Sequence, residues 1–593
     1  MFKSRLQKIK EAQPTKRELK RHLRRIERLT LRHAHKFIIR RLANLRDVRK
    51  HAVNWLLLVT VLVVALVWQN GISAKHYTVD APNEGGVYTE GIFGAVDNLN
   101  PIFASTPAER AGARLLFAQL LTYDKTGDLV GELAQSWQAD ESGKTYTVTL
   151  RPEARWQDGV AITADDVVFT FSAIKNANTK SPLYTSWRTI GVEKVNERTV
   201  RFTLPAPYAA FQNSLTVGIL PKHVLGNEPL SELRTATFNR APLVASGPFV
   251  FQDLRSLDLK QVHYLISLNA NSSYVLGAPK LKSFHLHAYK DREELTKAFR
   301  SQEIASFSDA SAAQLQTLAG TQHTAIKAPL YNGVYAFFKT DNAPLDDARV
   351  RQALQRATDQ PAIIKRLNNH VQPLHGPLLS GQLGYSNDVV QPGVDTNRAA
   401  ALLDEAGWVR GQDGKRSKDG QPLRFRLVSV SSGDYPVVVE ELMKQWQKIG
   451  VEFDAQLIKA EDIQQNAILP RAYDILIYEI AIGRDPDVFA YWHSSQASER
   501  GLNLSNYKSP KVDDALDSAR ARLDPALREA KYRLFIQQWL ADAPAVALFR
   551  PTLAYVQNKN VTTFDAHALV DPADRYFNVR YWSAGYDTLR PTR

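Results

Sequence analysis

The chain has 593 residues, of which 44% are hydrophobic and 23% charged, an ordinary balance for a globular protein. It contains no cysteine, which excludes disulfide bonds, cysteine-ligated zinc, iron–sulfur clusters, thiol catalysis and a lipid-modified cysteine anchor. The formal net charge of +14 would suggest a nucleic-acid partner, but residues 1–51 carry all of it, and the rest of the chain is balanced. We therefore expect no nucleic acid to bind the globular body.

The first strong element is an uncharged apolar run that directly follows the basic tail. It covers Ala52–Trp68 with the sequence AVNWLLLVTVLVVALVW, and Trp55 and Trp68 lie at its two ends. A helix of this length spans about 26 Å, which is enough for a thin bilayer, and Trp favours membrane interfaces. We predict one transmembrane helix, an uncleaved signal anchor over residues 52–72. The basic tail would be cytoplasmic and the body extracytoplasmic, because Lys and Arg stay inside.

Other interpretations of this N-terminal part stay open. The apolar run could be a buried core helix, or the hydrophobic region of a cleaved signal peptide with an unusually long basic segment before it. The tail, residues 1–51, is predicted to lie on the anionic inner leaflet. A solvated helix that only sets the topology, or an RNA-binding tail, are the alternatives. Residues 73–83 are predicted to form a linker to the body.

The first part of the body shows a strand followed by a helix. Lys144–Arg151 alternates apolar and polar residues and is rich in β-formers, which predicts a strand. After it, Thr163 is the predicted N-cap of a helix, with Asp166 three residues on as in a capping box. Trp156 is predicted to pack in the core beneath the turn between them.

A second block begins near residue 330. Tyr331–Lys339 is a predicted buried strand, and Asp346 and Thr396 are predicted to cap the two helices that follow. Residues 424–480 then alternate strand, helix, strand, short helix and strand, which predicts a parallel sheet covered on both faces.

Ligands of such sheets bind beyond the carboxyl ends of the strands. Two loops lie there, Ser431–Tyr435 and Ala481–Asp487. The first loop supplies Ser432 and Gly433 as candidate ligand contacts.

No catalytic motif is found, and no cofactor is expected. The sequence lacks G-x-S-x-G, H-E-x-x-H, a P-loop and G-x-G-x-x-G. His285 and His287 would share one face of a strand, and a partly exposed pair of strand residues is favoured over a metal site. Asp165-Asp166 and Asp346-Asp347 stand at helix starts, where the helix dipole favours carboxylates. We therefore predict that the protein is not an enzyme.

Several segments of the body resemble family 5 of the bacterial extracellular solute-binding proteins, the oligopeptide-, dipeptide- and nickel-binding receptors of ABC importers. The matching segments follow the order found in the family and cover nearly all of the body. They are GGVYTEGIFGAVDNLNPIFA, ELAQSWQADESGKTYTVTLRPEARWQDGVAITADDVVFTF, SGPFVF, PLDDARVRQALQRATDQPAII, DPDVFAYWHSSQ and LNLSNYKSPKVDDALDSAR.

The resemblance implies an α/β fold of the two-lobed periplasmic-binding-protein type II, similar to cluster C, with hinge crossovers between the lobes. Lobe one would comprise residues 84–327 and 547–593, and lobe two residues 328–546. The crossovers are expected near Tyr331–Phe338 and Ala547–Tyr555.

The resemblance also implies where a ligand binds. In peptide-binding members, an aspartate after the strand equivalent to Tyr473–Ile480 pairs with the terminal amine of the peptide. Gly483 stands at that place here, and Asp485 is the nearest substitute. Asp487 is the other carboxylate of the loop and could instead cap the segment that follows. Tyr184 and Trp492 complete the set of candidate ligand contacts.

The function expected from these features is a membrane-anchored receptor that binds peptides or similar small solutes in a closing cleft. It would deliver them to the permease subunits of an ABC importer, and it would reside in the cell membrane with its binding body outside. A membrane-anchored sensor that signals through the basic tail is the alternative. An exported hydrolase is the third hypothesis, which the missing nucleophile and metal motifs disfavour.

Overall fold

The structure is a computed structural model that describes residues 45–77, 79–258, 263–318, 323–368 and 370–589. The chain divides into two compact units, which we describe separately. One unit holds the described residues up to Ala81 together with those from Asp587 onward, and the other is Pro82–Tyr586. Most of the predicted basic tail, residues 1–44, lies outside the described residues.

The N-terminal unit contains a long helix, Leu45–Tyr77. Its segment His51–Gln69 has a mean hydropathy of 2.1, and none of this segment is buried. By length and composition, this helix could cross a membrane. The predicted linker, residues 73–83, contains the end of this helix and the strand Val79–Pro82, which pairs with Tyr586–Leu589.

The unit Pro82–Tyr586, which we call the body, is built on two large sheets. The first sheet has seven strands, in spatial order His323–Pro329, Thr552–Asn558, Ser306–Phe307, Val87–Phe93, Ser283–Tyr289, His263–Ala270 and Phe249–Ser256. The second sheet has six strands, in spatial order Gln372–Pro373, Ala545–Arg550, Asn332–Phe338, Ile475–Ala481, Arg424–Val430 and Glu452–Ile458.

The chain passes between the two sheets twice. It leaves the first sheet after Pro329, crosses at Leu330-Tyr331 and enters the second sheet at Asn332. It returns at Pro551, the single residue between Ala545–Arg550 and Thr552–Asn558. We therefore divide the body into region one, residues 83–329 and 552–586, and region two, residues 332–550.

Each region has its own hydrophobic core. One core of region one holds Trp156 and Trp582, and a second, smaller one surrounds Phe299 and Phe307. In region two, Trp446 and Trp539 centre two clusters that lie on opposite faces of the second sheet.

Residues 424–480 form the predicted parallel arrangement. Arg424–Val430 pairs in parallel with both Glu452–Ile458 and Ile475–Ala481. Ile475, Leu476 and Ile477 are all fully buried, as expected for a strand covered on both faces.

The smaller elements complete the body. Three small sheets pair Leu121–Tyr123 with Leu129–Gly131, join Ala134–Ala139, Thr145–Leu150, Thr199–Thr203 and Gly191–Asn196, and join Val409–Arg410, Arg416–Lys418 and Gln421–Pro422. The α-helices are Pro107–Leu116, Ala164–Lys175, Tyr184–Trp187, Lys222–Leu225, Arg292–Arg300, Ala312–Leu318, Ala348–Arg356, Gln360–Arg366, Thr396–Glu405, Tyr435–Gln447, Phe489–Trp492, Pro510–Ala521 and Pro525–Asp542. Short 3₁₀ turns cover Ala177–Thr179, Ala209–Leu215, Leu233–Thr235, Thr237–Asn239, Ser494–Gln496 and Pro572–Tyr581, and Gln464–Ile468 is a π-helical turn.

The helix starts test the predicted caps. Thr163 is the N-cap of its helix as predicted, and its backbone N donates to Asp166 Oδ2 at 2.8 Å. The two caps of region two were each wrong by one residue. Asp347, not Asp346, accepts from the helix start, and Asp395, not Thr396, caps the next helix. Each true cap has one neighbour that could also cap a helix: Asp346 precedes Asp347, and Thr396 follows Asp395. Sequence alone therefore does not separate the two positions of each pair.

The Ser246-Gly247 pair of the SGPFVF segment lies against the end of the helix Pro107–Leu116. The backbone N atoms of Ser246 and Gly247 donate to Leu116 O at 3.1 and 2.8 Å. A Cβ on Gly247 would lie 2.6 Å from the Leu116 carbonyl carbon, which leaves no room for a side chain. The glycine thus permits the backbone contact that joins this helix to the first sheet.

Candidate ligand-binding cleft

The two loops chosen from sheet topology lie at the same end of the second sheet. The loop 481–487 follows the carboxyl end of Ile475–Ala481, and the loop 431–434 follows that of the parallel strand Arg424–Val430. In the second loop Ser432 and Gly433 are exposed, and Gly433 has φ of +65°. This edge is where a parallel sheet presents its ligands.

Asp485 forms an ion pair within region two. Its Oδ1 lies 2.7 Å from Arg528 Nη2 and also accepts the backbone N–H of Asp487 at 3.1 Å. Burial alone would lower the pKa of Arg528, but the hydrogen bond and the charge of Asp485 raise it overall. The Asp485 side chain keeps 16% of its surface exposed. The carboxylate is therefore compensated but still reachable.

Asp487 is more deeply buried than Asp485, with 8% of its side chain exposed. Its Oδ2 lies 3.2 Å from Arg520 Nη2. Burial raises the pKa of the Asp487 carboxyl, against the charge of Arg520, while the charge of Asp485 raises it further. The helix that follows, Phe489–Trp492, begins after Val488, and the backbone of Phe489 lowers the pKa of the Asp487 carboxyl, against the effect of burial. Its contacts are thus those of a helix-start residue.

Arg520 also joins region two to region one. Its guanidinium lies 4.7 Å from the ring centre of Tyr208 in region one and 4.4 Å from that of Phe489 in region two. Both distances lie within the range of a cation–π contact. Burial raises the pKa of the Tyr208 hydroxyl, and the nearby charge of Asp487 raises it further, while Arg520 opposes the shift.

Arg484 makes a second link between the regions. Its Nε donates to Gly127 O at 3.1 Å and its Nη2 lies 3.3 Å from Asp128 Oδ1, both in region one. Its Nη1 donates to Gly381 O in region two at 3.1 Å. We call the surface formed by loop 481–487, its arginine partners and the facing residues of region one the junction.

A cavity of about 260 Å³ lies in region one beside Tyr123. Arg110, Arg114 and Phe117 line it on one side, and Asp574 on another. Burial raises the pKa of the Tyr123 hydroxyl, and the charges of Asp574 and Asp485 add to this effect. Since Asp485 belongs to loop 481–487, Tyr123 connects the cavity electrostatically to the junction.

The polar lining of this cavity is incompletely paired. Among the described residues, the buried Gln119 Oε1 and Arg114 Nε have no hydrogen-bond partner. Arg114 Nη1 pairs with Glu132 at 3.1 Å, so its charge is compensated. The volume is slightly below the roughly 300–1,000 Å³ of pockets for drug-sized molecules, so it suits a single side chain or a small group.

Two further sequence-predicted contacts, Trp492 and Tyr184, are not part of loop 481–487 itself. Trp492 is fully buried in the core of region two, where its ring centre lies 5.6 Å from that of Phe337 and 5.4 Å from that of Trp539. In this structure it therefore has no surface with which to contact a ligand. Tyr184 is half-buried at the start of the helix Tyr184–Trp187, next to Leu183, which lines the cavity.

Sequence reasoning missed the residues that complete the junction. Tyr123 and Tyr208 come from region one, and Arg520 and Arg528 from the helices that follow loop 481–487. No local pattern marks them, because each acquires its role only through a partner that is distant in the chain. The neighbouring pair Asp485 and Asp487 was the available signal, since two carboxylates close together in a loop favour cations nearby.

Comparison with known proteins decides the family. The family model described as "Bacterial extracellular solute-binding proteins, family 5 Middle" matches residues 128–501. The chain belongs to family 5 of the bacterial extracellular solute-binding proteins. The resemblance noted from sequence motifs is thereby confirmed.

Relatives of this family 5 protein include receptors with named ligands. The oligopeptide-binding protein AppA of Bacillus subtilis is 27% identical over 551 residues, which cover 90% of this chain and 99% of AppA. The dipeptide-binding protein of Escherichia coli is 26% identical over 540 residues, covering 85% and 96% of the two chains. These relatives are solute-binding proteins rather than enzymes, in agreement with the prediction.

Solved structures share the fold. NikZ of Campylobacter jejuni in complex with Ni(L-His) is 27% identical, with a TM-score of 0.70 over 85% of this chain and 100% of NikZ. AppA of Bacillus subtilis in complex with a nonapeptide is 25% identical, with a TM-score of 0.68 over 85% and 99%. The family 5 body therefore has the mixed α/β fold of periplasmic binding proteins.

Proposed function

We propose that this family 5 protein is a membrane-anchored receptor that binds peptides at the junction and delivers them to an ABC permease. The observation that carries the proposal is the pair of links between regions, Arg484 to Asp128 and Arg520 to Tyr208, near the carboxyl ends of the parallel strands of the second sheet. Regions one and two are the lobes, and they part at Leu330-Tyr331 and Pro551 to admit the ligand.

The ligand class rests on the relatives and on the polarity of the junction. Tyrosines and paired charges line it, and main-chain groups of a bound peptide can hydrogen-bond to such a surface. The cavity beside Tyr123 would receive one side chain of the peptide. Delivery to a permease follows the Brucella relatives described as putative ABC transporter peptide-binding proteins.

Within the junction, we assign the peptide amine to Asp485. Both hydrogen bonds described above for this carboxylate go to Oδ1, and the side chain is partly exposed, so Oδ2 is the atom that an incoming ammonium group would meet. Because Arg528 already compensates the charge, the amine would add to an existing pair rather than neutralise a lone carboxylate.

The test compares synthetic peptides with free and with acetylated N-termini, titrated into the detergent-solubilised full chain by calorimetry. Asp485→Asn should weaken binding of the free-amine peptide by about thirtyfold or more, since removing one partner of a close charge pair costs on the order of 2–5 kcal/mol. The same variant should leave the acetylated peptide nearly unaffected.

Asp487→Asn is the matched control in the same loop. Its carboxylate is held by Arg520 and the helix start, so we expect it to lower the affinity for both peptide forms alike. Equal affinity of the wild-type chain for the two forms would show that no carboxylate reads the amine. Failure of the folded wild-type chain to bind any peptide would refute the peptide proposal.

A further inference from the structure

Two histidines and one glutamate of region one form a cluster that takes no part in the junction. The potential ligand atoms of His263, His287 and Glu303 all lie within 4.8 Å of one another. His263 Nε2 and His287 Nδ1 are 3.0 Å apart. The sequence analysis favoured a partly exposed pair at His285 and His287. That was wrong for His287, which is buried and contacts a third histidine.

The fold brings the three residues together from separate segments. In the antiparallel pairing of His263–Ala270 with Ser283–Tyr289, His263 lies opposite Tyr289 and Leu265 lies opposite His287. Opposite residues share a face, so both imidazoles point to the same side of the first sheet. Glu303 follows the helix Arg292–Arg300, and its backbone N donates to Ala298 O at 3.0 Å, which fixes the turn that carries it.

Both imidazoles are suited to act as ligands at neutral pH. Burial lowers the pKa of His287 to about 4, and the nearby His263 and His285 contribute. Burial also lowers the pKa of His263, although the charges of Glu303, Asp258 and Glu294 oppose it.

The surroundings hold the rings in place. The ring of Tyr289 stacks on that of His263, with centroids 4.1 Å apart and an interplanar angle of 19°. Glu303 is exposed, so an ion could enter from solvent on that side. Tyr289 thus restricts the orientation of the His263 ring, while the Glu303 carboxylate is accessible to solvent. A metal site needs both oriented ligands and a route of entry for the ion.

We infer that His263, His287 and Glu303 bind a divalent transition-metal ion, with zinc as the best match. Two imidazole nitrogens and one carboxylate oxygen are a ligand set that zinc accepts, with water in the fourth position. Imidazole ligands disfavour magnesium and calcium, which prefer oxygen. On binding, each imidazole turns its lone pair to the metal and keeps its proton on the other nitrogen, so that the two rings no longer share a hydrogen bond.

The experiment uses the untagged full chain in detergent, loaded with zinc chloride, dialysed and analysed for bound metal. The wild-type chain should retain one zinc ion, and its melting temperature should rise with zinc. His263→Gln and Glu303→Gln should each weaken zinc binding at least tenfold. Cobalt substituted for zinc should give a visible absorption spectrum that these variants change.

His285→Gln is the matched control, because this histidine lies on the same strand and face but outside the cluster. It should bind zinc like the wild type. Because Glu303 is exposed, the Glu303→Gln variant should fold normally. Its zinc binding can therefore be interpreted even if the His263→Gln variant is unstable. The inference would be overturned if His263→Gln and Glu303→Gln both retained as much zinc as the wild-type chain. It would also be overturned if the wild-type chain retained no zinc.

Discussion

At the scale of single residues, Asp574 is a carboxyl group whose protonation is coupled to folding. It lies in the lining of the cavity beside Tyr123, and its Oδ2 accepts the backbone N–H of Asp571 at 2.8 Å. Burial, and then the charge of Asp571, raises its pKa to about 7, while Arg114 opposes the shift. The folded protein therefore holds this proton more tightly than the unfolded chain does.

The pH dependence follows from that sign. A carboxyl group with a raised pKa in the folded state makes the protein less stable as the pH rises from its unfolded value, near 4, to its folded value, about 7. We expect Asp574→Asn to remove this loss of stability. At pH 8 its free energy of unfolding should exceed that of the wild type by roughly 1–4 kcal/mol, and at pH 4 the two should differ little. Thermal unfolding of both chains at the two pH values measures it. An equal difference at both pH values would contradict the assignment.

Sequence reasoning succeeded for residues whose environment is set by the residues next to them in the sequence, and it failed where the partner is distant in the sequence. Trp156 was predicted to be a core residue because it precedes a turn, and it is fully buried. The pairing of Asp485 with Arg528 could not be predicted, because it depends on how the helix Pro525–Asp542 packs. Trp492 shows a related difficulty: an aromatic residue near a ligand loop can equally face the core, where Trp492 is buried in this structure.

At the scale of elements, the contact of Gly247 with the end of the helix Pro107–Leu116 explains why the first sheet and that helix meet so closely. The atoms that a Cβ at Gly247 would meet belong to the backbone of Leu115, Leu116 and Phe117, all within 2.8 Å. Backbone atoms cannot turn aside as a flexible side chain can. The helix would have to move to accommodate a methyl group.

We expect Gly247→Ala to destabilise the body by about 1–3 kcal/mol, the usual cost of forcing extra volume into a packed interior. Gly393→Ala is the matched control, since nothing lies within 4 Å of its Cβ position and its φ is not positive. Chemical denaturation of the two variants and the wild-type chain compares them. Equal stability of the two variants would show that the helix yields without cost.

Elements were predictable where one pattern dominated. The near-continuous apolar run before residue 481, and the alternation of strands and helices before it, predicted the parallel strands. These patterns did not predict the order of the strands in the sheet. The placement of Asn332–Phe338 and Ala545–Arg550 in that same sheet depends on antiparallel pairing between distant segments. Periodicity describes one segment at a time, so it could not show this pairing.

At the scale of the whole molecule, the helix Leu45–Tyr77 contains a segment that is long and apolar enough to cross a membrane. Its apolar segment His51–Gln69 follows a strongly basic N-terminal part, so we propose that the N-terminus is cytoplasmic and the body outside. Protease added to intact cells should digest the body and leave residues 1–51 protected. Recovery of a soluble protein that begins near Lys75 would show instead that the helix is cleaved off.

The division into lobes came from the family resemblance rather than from the residues. The expected boundaries, 327/328 and 546/547, lie a few residues before the crossings at Leu330-Tyr331 and Pro551. The second expected boundary would divide the strand Ala545–Arg550, which belongs wholly to the second sheet. Each crossing is only one or two residues long and has a strand directly before and after it, so no linker composition marks where one sheet ends.

The positions of the two crossings also make region two a single insertion within region one. Pro329, the last residue of region one before the first crossing, and Thr552, its first residue after the second crossing, are cross-strand partners in the first sheet. Region two is thus a cassette whose removal would leave two neighbouring ends that a tight turn could join. Its own first and last long strands, Asn332–Phe338 and Ala545–Arg550, pair with each other as well. Exchange of this cassette as one piece would therefore leave the strand register of the host sheet unchanged.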